Sequence, residues 1–348
     1  MCKIGIIGTG WGTRVQVPQF REAGLQVVAV AGFNRDKTRD IAAGLNLRAH
    51  DDWRDLVASP DIDLVTITSP PSRHREMALA ALEAGKHVIC EKPTALDAGE
   101  AEEMLQAARS RPGQLALIDH ELRFLPAWRE ARERMAVIGP IRYAEVRYSS
   151  PARGGRDREW NWWSDAAQGG GILGAVGSHA ADALRYFGME FESALGFLRT
   201  TIEERPHGDA TRAVTADDWA SAQFRMRGGA VVSMICSAVS RGPDETSMIT
   251  IHGEEGAFRF VGEEVLVSKG GAPFTRFAGG DMAKIPGNSH GGAYGTGTLH
   301  LGRALRAALD DGDRSALAPA ATFEDGLAQQ RVLDAVRRSS ASGTWTAV

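Results

Sequence analysis

Three stretches of the chain carry residue types that can do chemistry. Residues 8–13, GTGWGT, place glycines close together, and such a turn lets main-chain N–H groups approach a phosphate. Residues 88–96, VICEKPTAL, end an apolar run in an acid, a lysine and a proline. Residues 158–171, REWNWWSDAAQGGG, put three tryptophans in a polar segment ahead of His179. These side chains offer phosphate binding, proton transfer and stacking on a ligand.

The glycine stretch is an imperfect G-x-G-x-x-G pattern. Its third glycine should be residue 13, which is a threonine, and a glycine sits one place early. The stretch follows a predicted strand and precedes a predicted helix, which favours a dinucleotide site over the alternative, a generic turn. The residues expected to contact the cofactor are Gly8, Gly10, Trp11 and Gly12.

The end of the second predicted strand bears on which dinucleotide binds. Enzymes that use NAD usually place an acid there for the ribose 2′-hydroxyl, whereas this chain has Asn34 and Arg35. An acid would repel a 2′-phosphate and an Asn-Arg pair would accept one, so we expect NADP in preference to NAD. The alternative is that Arg35 is a solvated turn residue.

Apolar runs alternate with helical patterns in the first third of the chain. Strands are predicted at 3–8, 25–33, 63–69, 86–90 and 114–119, and helices at 36–45, 51–58, 72–85 and 98–111, besides one that ends at Glu22. Such alternation predicts a parallel sheet covered on both faces, with ligands at the carboxyl ends of its strands. Lys92 is therefore expected at the ligand edge.

From about residue 121 the pattern changes to short strands joined by glycine-containing turns. They are predicted at 142–148, 219–226, 230–239 and 248–253, before a final helix at 323–339. We predict an α/β chain with a Rossmann domain at 1–120 and an α+β domain at 121–348, whose largely antiparallel sheet has one open face. Covering that face by a second subunit would give a homodimer or homotetramer.

Composition excludes several classes of partner. The 348 residues carry a formal net charge of −4 with no long run of one sign, which argues against nucleic acid or an anionic membrane. No apolar stretch approaches the roughly 20 residues of a membrane span. The three cysteines lie far apart, and His120, His252, His290 and His300 lack the spacing of metal ligands. We therefore expect a cytoplasmic protein without a metal.

Several of these stretches together resemble one known family. SPPSRH at 69–74, AGKHVICEKPTAL at 84–96, RFLP at 123–126, the glycines before His179 and ATFEDGLAQQRVLDA at 321–335 are similar to the glucose–fructose oxidoreductase/inositol dehydrogenase (Gfo/Idh/MocA) family. The resemblance covers nearly the whole chain, and AGKHVxxEKP is its most specific element.

The resemblance implies a role for Lys92 beside the nicotinamide, where it would bond the hydroxyl being oxidised. Glu91 and the following proline would fix its direction, often through a cis peptide bond. A lysine near a cationic nicotinamide loses proton affinity and suits proton transfer near neutral pH. The resemblance also implies that Ser69, Pro70, His74 and Glu91 contact the cofactor and that Arg123 contacts the substrate. A surface lysine and a helix-surface histidine are the alternatives for Lys92 and His74.

The family's second signature is an Asp four residues before a His. His179 occupies the histidine position, but the acid position is Ala175, and Asp182 is the nearest acid that could orient the imidazole. General acid–base help is worth about 10²–10⁴-fold, so Lys92 and His179 could still move the proton. A buried structural histidine is the alternative.

The tryptophan segment is the predicted substrate region. Trp162 matches a tryptophan that the family places near the nicotinamide, and Trp163 and Asp165 are expected to contact a sugar-like ligand; Asn161 and Gln168 could assist. The alternative is that the tryptophans hold the segment to the core or to another subunit.

The sequence thus predicts an NADP(H)-dependent oxidoreductase that acts on a secondary alcohol or carbonyl of a sugar, polyol or related small molecule. Two alternatives stay open: a dinucleotide-binding regulator without turnover, and a redox-neutral, cofactor-assisted glycosidase or lyase.

Overall fold

The structure is a computed structural model that describes residues 1–240, 247–277 and 292–348. These residues form two compact units. The first takes the described parts of Met1–Ala95, Gly99–Leu125 and Ala283–Leu327; the second takes those of Leu96–Ala98, Pro126–Met282 and Ala328–Val348. Within the described ranges, no helix is long and apolar enough to cross a membrane.

The first third of the chain alternates strand and helix as predicted. Its strands are β1 (Lys3–Ile7), β2 (Gln26–Ala31), β3 (Arg48–His50), β4 (Leu64–Ile67), β5 (His87–Cys90) and β6 (Ala116–Ile118). Its helices are α1 (Val17–Glu22), which continues a π-helical segment Gly12–Gln16, then α2 (Arg35–Leu45), α3 (Trp53–Ala58), α4 (His74–Glu83) and α5 (Ala98–Arg109).

The rest of the chain contains many short strands and a few helices. In chain order these are α6 (Pro126–Glu133), β7 (Ile141–Ser149), α7 (Ser178–Tyr186), β8 (Phe191–Arg199), β9 (Glu204–His207), β10 (Ala210–Ala213), β11 (Trp219–Met226), β12 (Val231–Ser237), β13 (Met248–Gly253), β14 (Gly256–Val261), β15 (Glu264–Lys269), β16 (Thr275–Arg276), α8 (Gly292–Leu309), β17 (Ala321–Thr322), α9 (Phe323–Ser342) and β18 (Thr346–Ala347).

The first unit contains a seven-stranded sheet in the order β17-β6-β5-β4-β1-β2-β3. All its neighbouring strands are parallel except β17 and β6. Ile4, Ile6 and Leu64 are fully buried on strands, and Phe20 and Leu305 pack on the same core from helices. Apolar side chains on both faces of the strands require helices on both sides of the sheet. The parallel sheet confirms the predicted Rossmann fold.

The second unit contains a nine-stranded sheet in the order β16-β15-β14-β13-β7-β12-β11-β8-β18, and a separate hairpin of β9 and β10. Its pairs are antiparallel except β7 and β12. One face packs on α7 and on Val336 of α9, whose Cγ1 would lie 2.7 Å from a Cβ at Gly196. The predicted largely antiparallel sheet is confirmed.

A buried ion pair fixes the start of α9 within the first unit. Arg123 has 7% of its side chain exposed and places Nη2 3.2 Å from Asp325 Oδ1. The neighbouring Glu324 pairs instead with Arg109 at 3.4 Å, where both side chains are more than half exposed. The two carboxylates thus share one helix turn and differ in the burial of their partners.

This contrast predicts unequal costs for two matched substitutions. Asp325→Asn removes the carboxylate from a buried guanidinium, and we expect a loss of about 2–3 kcal/mol of unfolding free energy, below the usual range because Asp325 is partly exposed. Glu324→Gln should cost less than about 1 kcal/mol. Urea unfolding of both variants beside the wild type measures the difference, and equal losses would contradict the assignment.

Candidate active site

Two glycines in the turn after β1 serve different purposes. Gly8 has a φ of +125°, and a Cβ there would meet Thr68 Oγ1 at 2.3 Å, so its glycine is required by the fold. A Cβ at Gly10 would have nothing within 4 Å. The helix that follows presents main-chain N–H groups without intrahelical partners at its first turn. Gly10 therefore leaves space where a ligand can approach the main chain.

The residues after β2 lie exposed at the same edge of the sheet. Asn34 accepts a hydrogen bond from Lys37 N at 3.0 Å, so its side chain caps α2. Arg35 is exposed and makes no ion pair with any residue that the structure describes. The guanidinium of Arg73 lies 5.9 Å from the ring of the exposed Phe33. Two arginines thus flank the end of β2.

His74 joins two of the loops at this edge. It is fully buried, and its Nδ1 and Nε2 lie 3.0 Å from Pro93 O and 2.9 Å from Ser69 O. Burial lowers the pKa of the imidazole, against the effect of these carbonyl oxygens. His74 is thus not a helix-surface residue; it holds the loop of Ser69 and Pro70 against the loop after β5.

Lys92 lies where the sequence analysis expected it, directly after the carboxyl end of β5. It is half-buried, Pro93 is fully enclosed, and the peptide bond between them is cis, as the resemblance implies. Main-chain hydrogen bonds continue the sheet up to this point, since Glu91 N donates to Ile67 O at 2.9 Å. The lysine therefore leaves the sheet from a rigid position.

Three acids surround the start of Lys92, and sequence reasoning singled out only Glu91. Asp119 follows β6, is fully buried and accepts from Gln16 Nε2 at 2.7 Å; Glu121 is 3% exposed. Burial, together with the charge of Asp119, raises the pKa of Glu91 well above its usual range, and burial raises those of Asp119 and Glu121. The parallel pairing of Cys90 with Ile118 makes Glu91 and Asp119 neighbours, and the sequence pattern does not show this pairing.

Arg123, a predicted substrate ligand, is occupied by its ion pair with Asp325 inside the first unit. Trp11, a predicted cofactor contact, packs its ring edge-on against Tyr294 of α8 with centroids 6.4 Å apart. A Cβ at Gly12 would meet Ile6 and Thr68, so this glycine also serves close packing.

In the second unit, the predicted substrate residues form a compact turn. Asp165 accepts from Ala167 N at 3.1 Å and from Gln168 Nε2 at 2.9 Å, and Asn161 accepts from Trp163 N at 3.0 Å. The guanidinium of Arg153 lies 3.3 Å from the centre of the Trp163 ring. The polar side chains that were expected to bind a ligand therefore shape the turn itself.

The three tryptophans of this segment have different surroundings. Trp160 donates from Nε1 to Ala213 O at 3.0 Å and stacks under Arg212 at 3.5 Å, so it fixes the segment to the β9–β10 hairpin. Trp162 and Trp163 are half-buried and tilted against each other, with centroids 5.3 Å apart. Part of each of these two side chains stays exposed, while the Arg153 guanidinium covers one face of Trp163.

His179 lies in the first turn of α7, after a π-helical segment at Leu173–Gly177, and is 4% exposed, as is Asp182. Asp217, which the sequence analysis did not single out, accepts a hydrogen bond from Leu173 N at 2.7 Å. Its carboxylate therefore caps the π-helical segment that begins at Leu173. Gly171 has a φ of +109°, and a Cβ there would lie 2.2 Å from Asp217 Oδ1. The glycine run is thus needed for the turn before His179. His290 lies outside the described residues.

Two family models match the chain. The model of an oxidoreductase family with an NAD-binding Rossmann fold covers residues 2–118, and that of a GFO/IDH/MocA C-terminal domain covers 128–259. The chain belongs to the GFO/IDH/MocA oxidoreductase family. The resemblance stated from the sequence is therefore confirmed.

Individual family members match over almost the whole chain. Glucose-fructose oxidoreductase domain-containing protein 2 of Xenopus tropicalis is 32% identical across 99% of this chain and 93% of its own length; the human protein of that name is 30% identical with the same coverage. Levoglucosan dehydrogenase, solved with NADH and levoglucosan, has a TM-score of 0.88 at 25% identity, covering 100% of this chain and 99% of that one. An oxidoreductase domain protein from Kribbella flavida has a TM-score of 0.87 at 27% identity, covering 100% and 99%.

The residues of this family member fit a dinucleotide. The open space at Gly10, the first helix turn after it and the exposed Arg35 lie at the carboxyl edge of one parallel sheet. Gly10 and the main chain around it would hold the pyrophosphate, and the residues after β2 would meet the ribose.

This arrangement predicts opposite effects for two glycine substitutions. Gly10→Val fills open space, so stability should change by less than about 0.5 kcal/mol, whereas dinucleotide affinity should fall at least about tenfold because the side chain blocks the pyrophosphate. Gly8→Ala should destabilise the fold by about 1–3 kcal/mol through its strained conformation. Fluorescence titration with reduced dinucleotide and thermal unfolding separate the two effects; unchanged affinity in Gly10→Val would contradict the site.

Proposed function

We propose that the chain is an NADP(H)-dependent oxidoreductase that transfers hydride between nicotinamide and a secondary alcohol or carbonyl of a sugar, polyol or related small molecule. The observation that carries this proposal is the position of Lys92. It leaves a parallel sheet at the edge that bears the glycine turn, on a backbone fixed by His74 and among buried acids. Such a lysine suits proton transfer to and from a hydroxyl.

Each of these groups has a separate role in the proposed reaction. The bound cofactor supplies the hydride acceptor or donor. Lys92 Nζ would accept the hydroxyl proton during oxidation and return it during reduction. His179 would be the second proton-handling group, as the family resemblance implies, and Ala175 leaves it without the family's acid. Glu91 keeps the start of Lys92 in place through its main-chain bond to β4.

The substrate class rests on the second unit and on the relatives. Trp162 and Trp163 are half-buried, and aromatic rings stack well on the apolar faces of sugars, although the Arg153 guanidinium already covers one face of Trp163. Two solved structures of levoglucosan dehydrogenase are complexes with NADH and, respectively, L-sorbose and levoglucosan. A carbohydrate-like alcohol is therefore the substrate that we propose here.

The preference for NADP over NAD rests on Arg35. The position that usually carries an acid in NAD enzymes carries Asn34, and Arg35 beside it is exposed without an ion pair among the described residues. The Asn34 side-chain oxygen caps α2, which leaves its amide group and the guanidinium to face a 2′-phosphate.

Arg35→Ala should therefore distinguish the two cofactors. We expect the dissociation constant for NADPH to rise about 10- to 100-fold, the value of one charge-assisted contact, and that for NADH to stay unchanged. Arg39→Ala is the matched control, since Arg39 lies one turn further along α2 and pairs with Asp51. Equal weakening of both cofactors, or tighter binding of NADH than NADPH by the wild type, would argue against NADP.

Lys92→Met tests the reaction itself. With NADP⁺ and a panel of aldoses, polyols and inositols, absorbance of the reduced nicotinamide should report turnover that falls about 10²–10⁴-fold in the variant, with cofactor affinity retained. Lys3→Met, at the amino end of β1 and so at the opposite edge of the sheet, is the control.

The other outcomes point to the alternative functions. Cofactor binding without turnover of any panel member would favour a dinucleotide-binding regulator. Product formation without net reduction of the cofactor would favour a redox-neutral glycosidase or lyase. Turnover that survives in Lys92→Met would remove Lys92 from the chemistry.

We also propose that the open sheet face pairs with a second copy of the chain, as a homodimer or homotetramer. Phe197, Ser221, Ile235 and Arg147 form a row across four strands of this face, and Val231 pairs with Tyr143 two rows further along the same face. Phe197 and Val231 are 54% and 52% exposed. Exposed apolar side chains on neighbouring strands are typical of a contact surface.

A cytoplasmic location stays a prediction. The three cysteines are free thiols in the structure.

A further inference from the structure

A cleft of about 580 Å³ lies within the second unit. Its walls come from the segment before α5, the turn at residues 166–170, the end of β8, the segment before β11 and the last turns of α9. Lys92, Trp162, Trp163 and His179 are not among its described lining residues. A cleft of this size can enclose a ligand as large as a phosphorylated sugar.

Two hydrogen bonds hold these walls together. Leu198 N, next to Arg199 at the end of β8, donates to Ser340 Oγ of α9 at 2.9 Å. Arg337 Nη1 of α9 donates to Leu96 O at 3.3 Å. The end of β8 and the segment before α5 are therefore both bonded to the last turns of α9.

Three arginines line the cleft, and they differ in their partners. Arg337 is paired with Asp334 at 3.0 Å. Arg338 is exposed and donates from Nη2 to Ala347 O at 3.1 Å. Arg199 is exposed, and its guanidinium has no hydrogen bond or ion pair with any residue that the structure describes. Since a guanidinium carries five N–H donors, Arg199 and Arg338 keep most of theirs for a ligand.

The acids that line the cleft balance these cations only in part. Asp334 belongs to the ion pair with Arg337. Asp217 accepts a hydrogen bond from Leu173 N at 2.7 Å, and burial raises the pKa of its carboxyl group. Asp97 is the exposed acid among the described lining residues. Two exposed guanidinium groups and one exposed carboxylate therefore remain to face a ligand.

We propose that this cleft is a second ligand site, which binds a small polyhydroxy anion, either a sugar acid or a sugar phosphate. Its carboxylate or phosphate would contact Arg199 and Arg338, because the planar guanidinium group binds both anions through two parallel hydrogen bonds. Asp97 would accept hydrogen bonds from the ligand hydroxyl groups. The site lies outside the residues of the proposed reaction, and binding there does not require turnover.

The cleft shares one turn with the predicted substrate region. Gly170 lines the cleft, and a Cβ at this glycine would lie 2.6 Å from both Trp162 O and Trp163 O. Asp217 holds the end of the same turn, since Ile172 N donates to Asp217 O at 2.8 Å. A ligand in the cleft would therefore cover the turn that follows two of the predicted substrate residues.

Titration calorimetry with gluconate, glucose 6-phosphate and neutral glucose tests the proposed ligand class. Both anions should bind at least about tenfold more tightly than glucose, and Arg199→Ala should weaken both about tenfold, the value of one charge-assisted hydrogen bond. Arg227→Ala is the matched control: Arg227 is also exposed but follows the far end of β11, whereas Arg199 pairs with Trp219 at its start. Binding of one anion only would support the site and identify its ligand as a phosphate or a carboxylate.

Steric filling and hydrogen exchange locate the bound anion. Ala167 is exposed and lines the cleft, so Ala167→Phe should prevent binding and leave thermal unfolding unchanged. Amide hydrogen exchange, read by mass spectrometry, should slow in peptides that contain residues 166–173 when either anion is added. Peptides from α2 in the first unit should exchange at an unchanged rate.

Three results would overturn the second site. One is the absence of binding of either anion up to about 10 mM. Another is binding that survives both Arg199→Ala and Ala167→Phe. The third is binding that is lost in Arg35→Ala or Lys92→Met and kept in the cleft variants, since it would place the anion in the dinucleotide site or beside Lys92. No turnover is measured, so failure of the proposed oxidoreductase function would leave these results unaffected.

Discussion

Burial of like charges beside Lys92 is the constraint on which the rest of the site depends. Parallel strands β5 and β6 end side by side, so Glu91 and Asp119 emerge at neighbouring positions, where Glu91 Oε1 and Asp119 Oδ1 are buried. Burial disfavours the ionised form of a carboxyl group and raises the pKa of both Glu91 and Asp119. Gln16, which Thr66 orients, donates to Asp119 Oδ2, and His74 holds the loop after β5 from which Lys92 leaves the sheet.

Much of the fold could be predicted from the sequence because the first sheet is buried on both faces. Continuous runs such as LVTI at Leu64–Ile67 allow few other structures, and they place Lys92 at the ligand edge. The parallel pairing of β7 and β12 could not be predicted, since alternation along a strand says which face is buried and not which strand lies beside it. The division at residue 120 stays a prediction.

The site was less predictable than the fold. Lys92 and the glycines could be found because their types and spacing are specific, whereas Asp119 and Glu121 stand in a stretch that reads as an ordinary polar turn. Their burial depends on pairing between strands far apart in sequence. Conversely, the sequence suggests that Asp165 and Arg123 are available to a ligand. In the structure Asp165 accepts a hydrogen bond from Gln168, and Arg123 forms an ion pair with Asp325, each within its own unit. Polar residue type alone does not show whether a side chain has an internal partner.

The claim that this family member transfers hydride from a carbinol carbon is tested most directly by isotope tracing. A sugar or polyol that is turned over is prepared with deuterium on the carbinol carbon, and the reduced dinucleotide is analysed by mass spectrometry after one turnover. The account predicts one deuterium in the reduced nicotinamide and a slower rate than with the unlabelled substrate. Conversion of the substrate with no deuterium in the cofactor pool would contradict it.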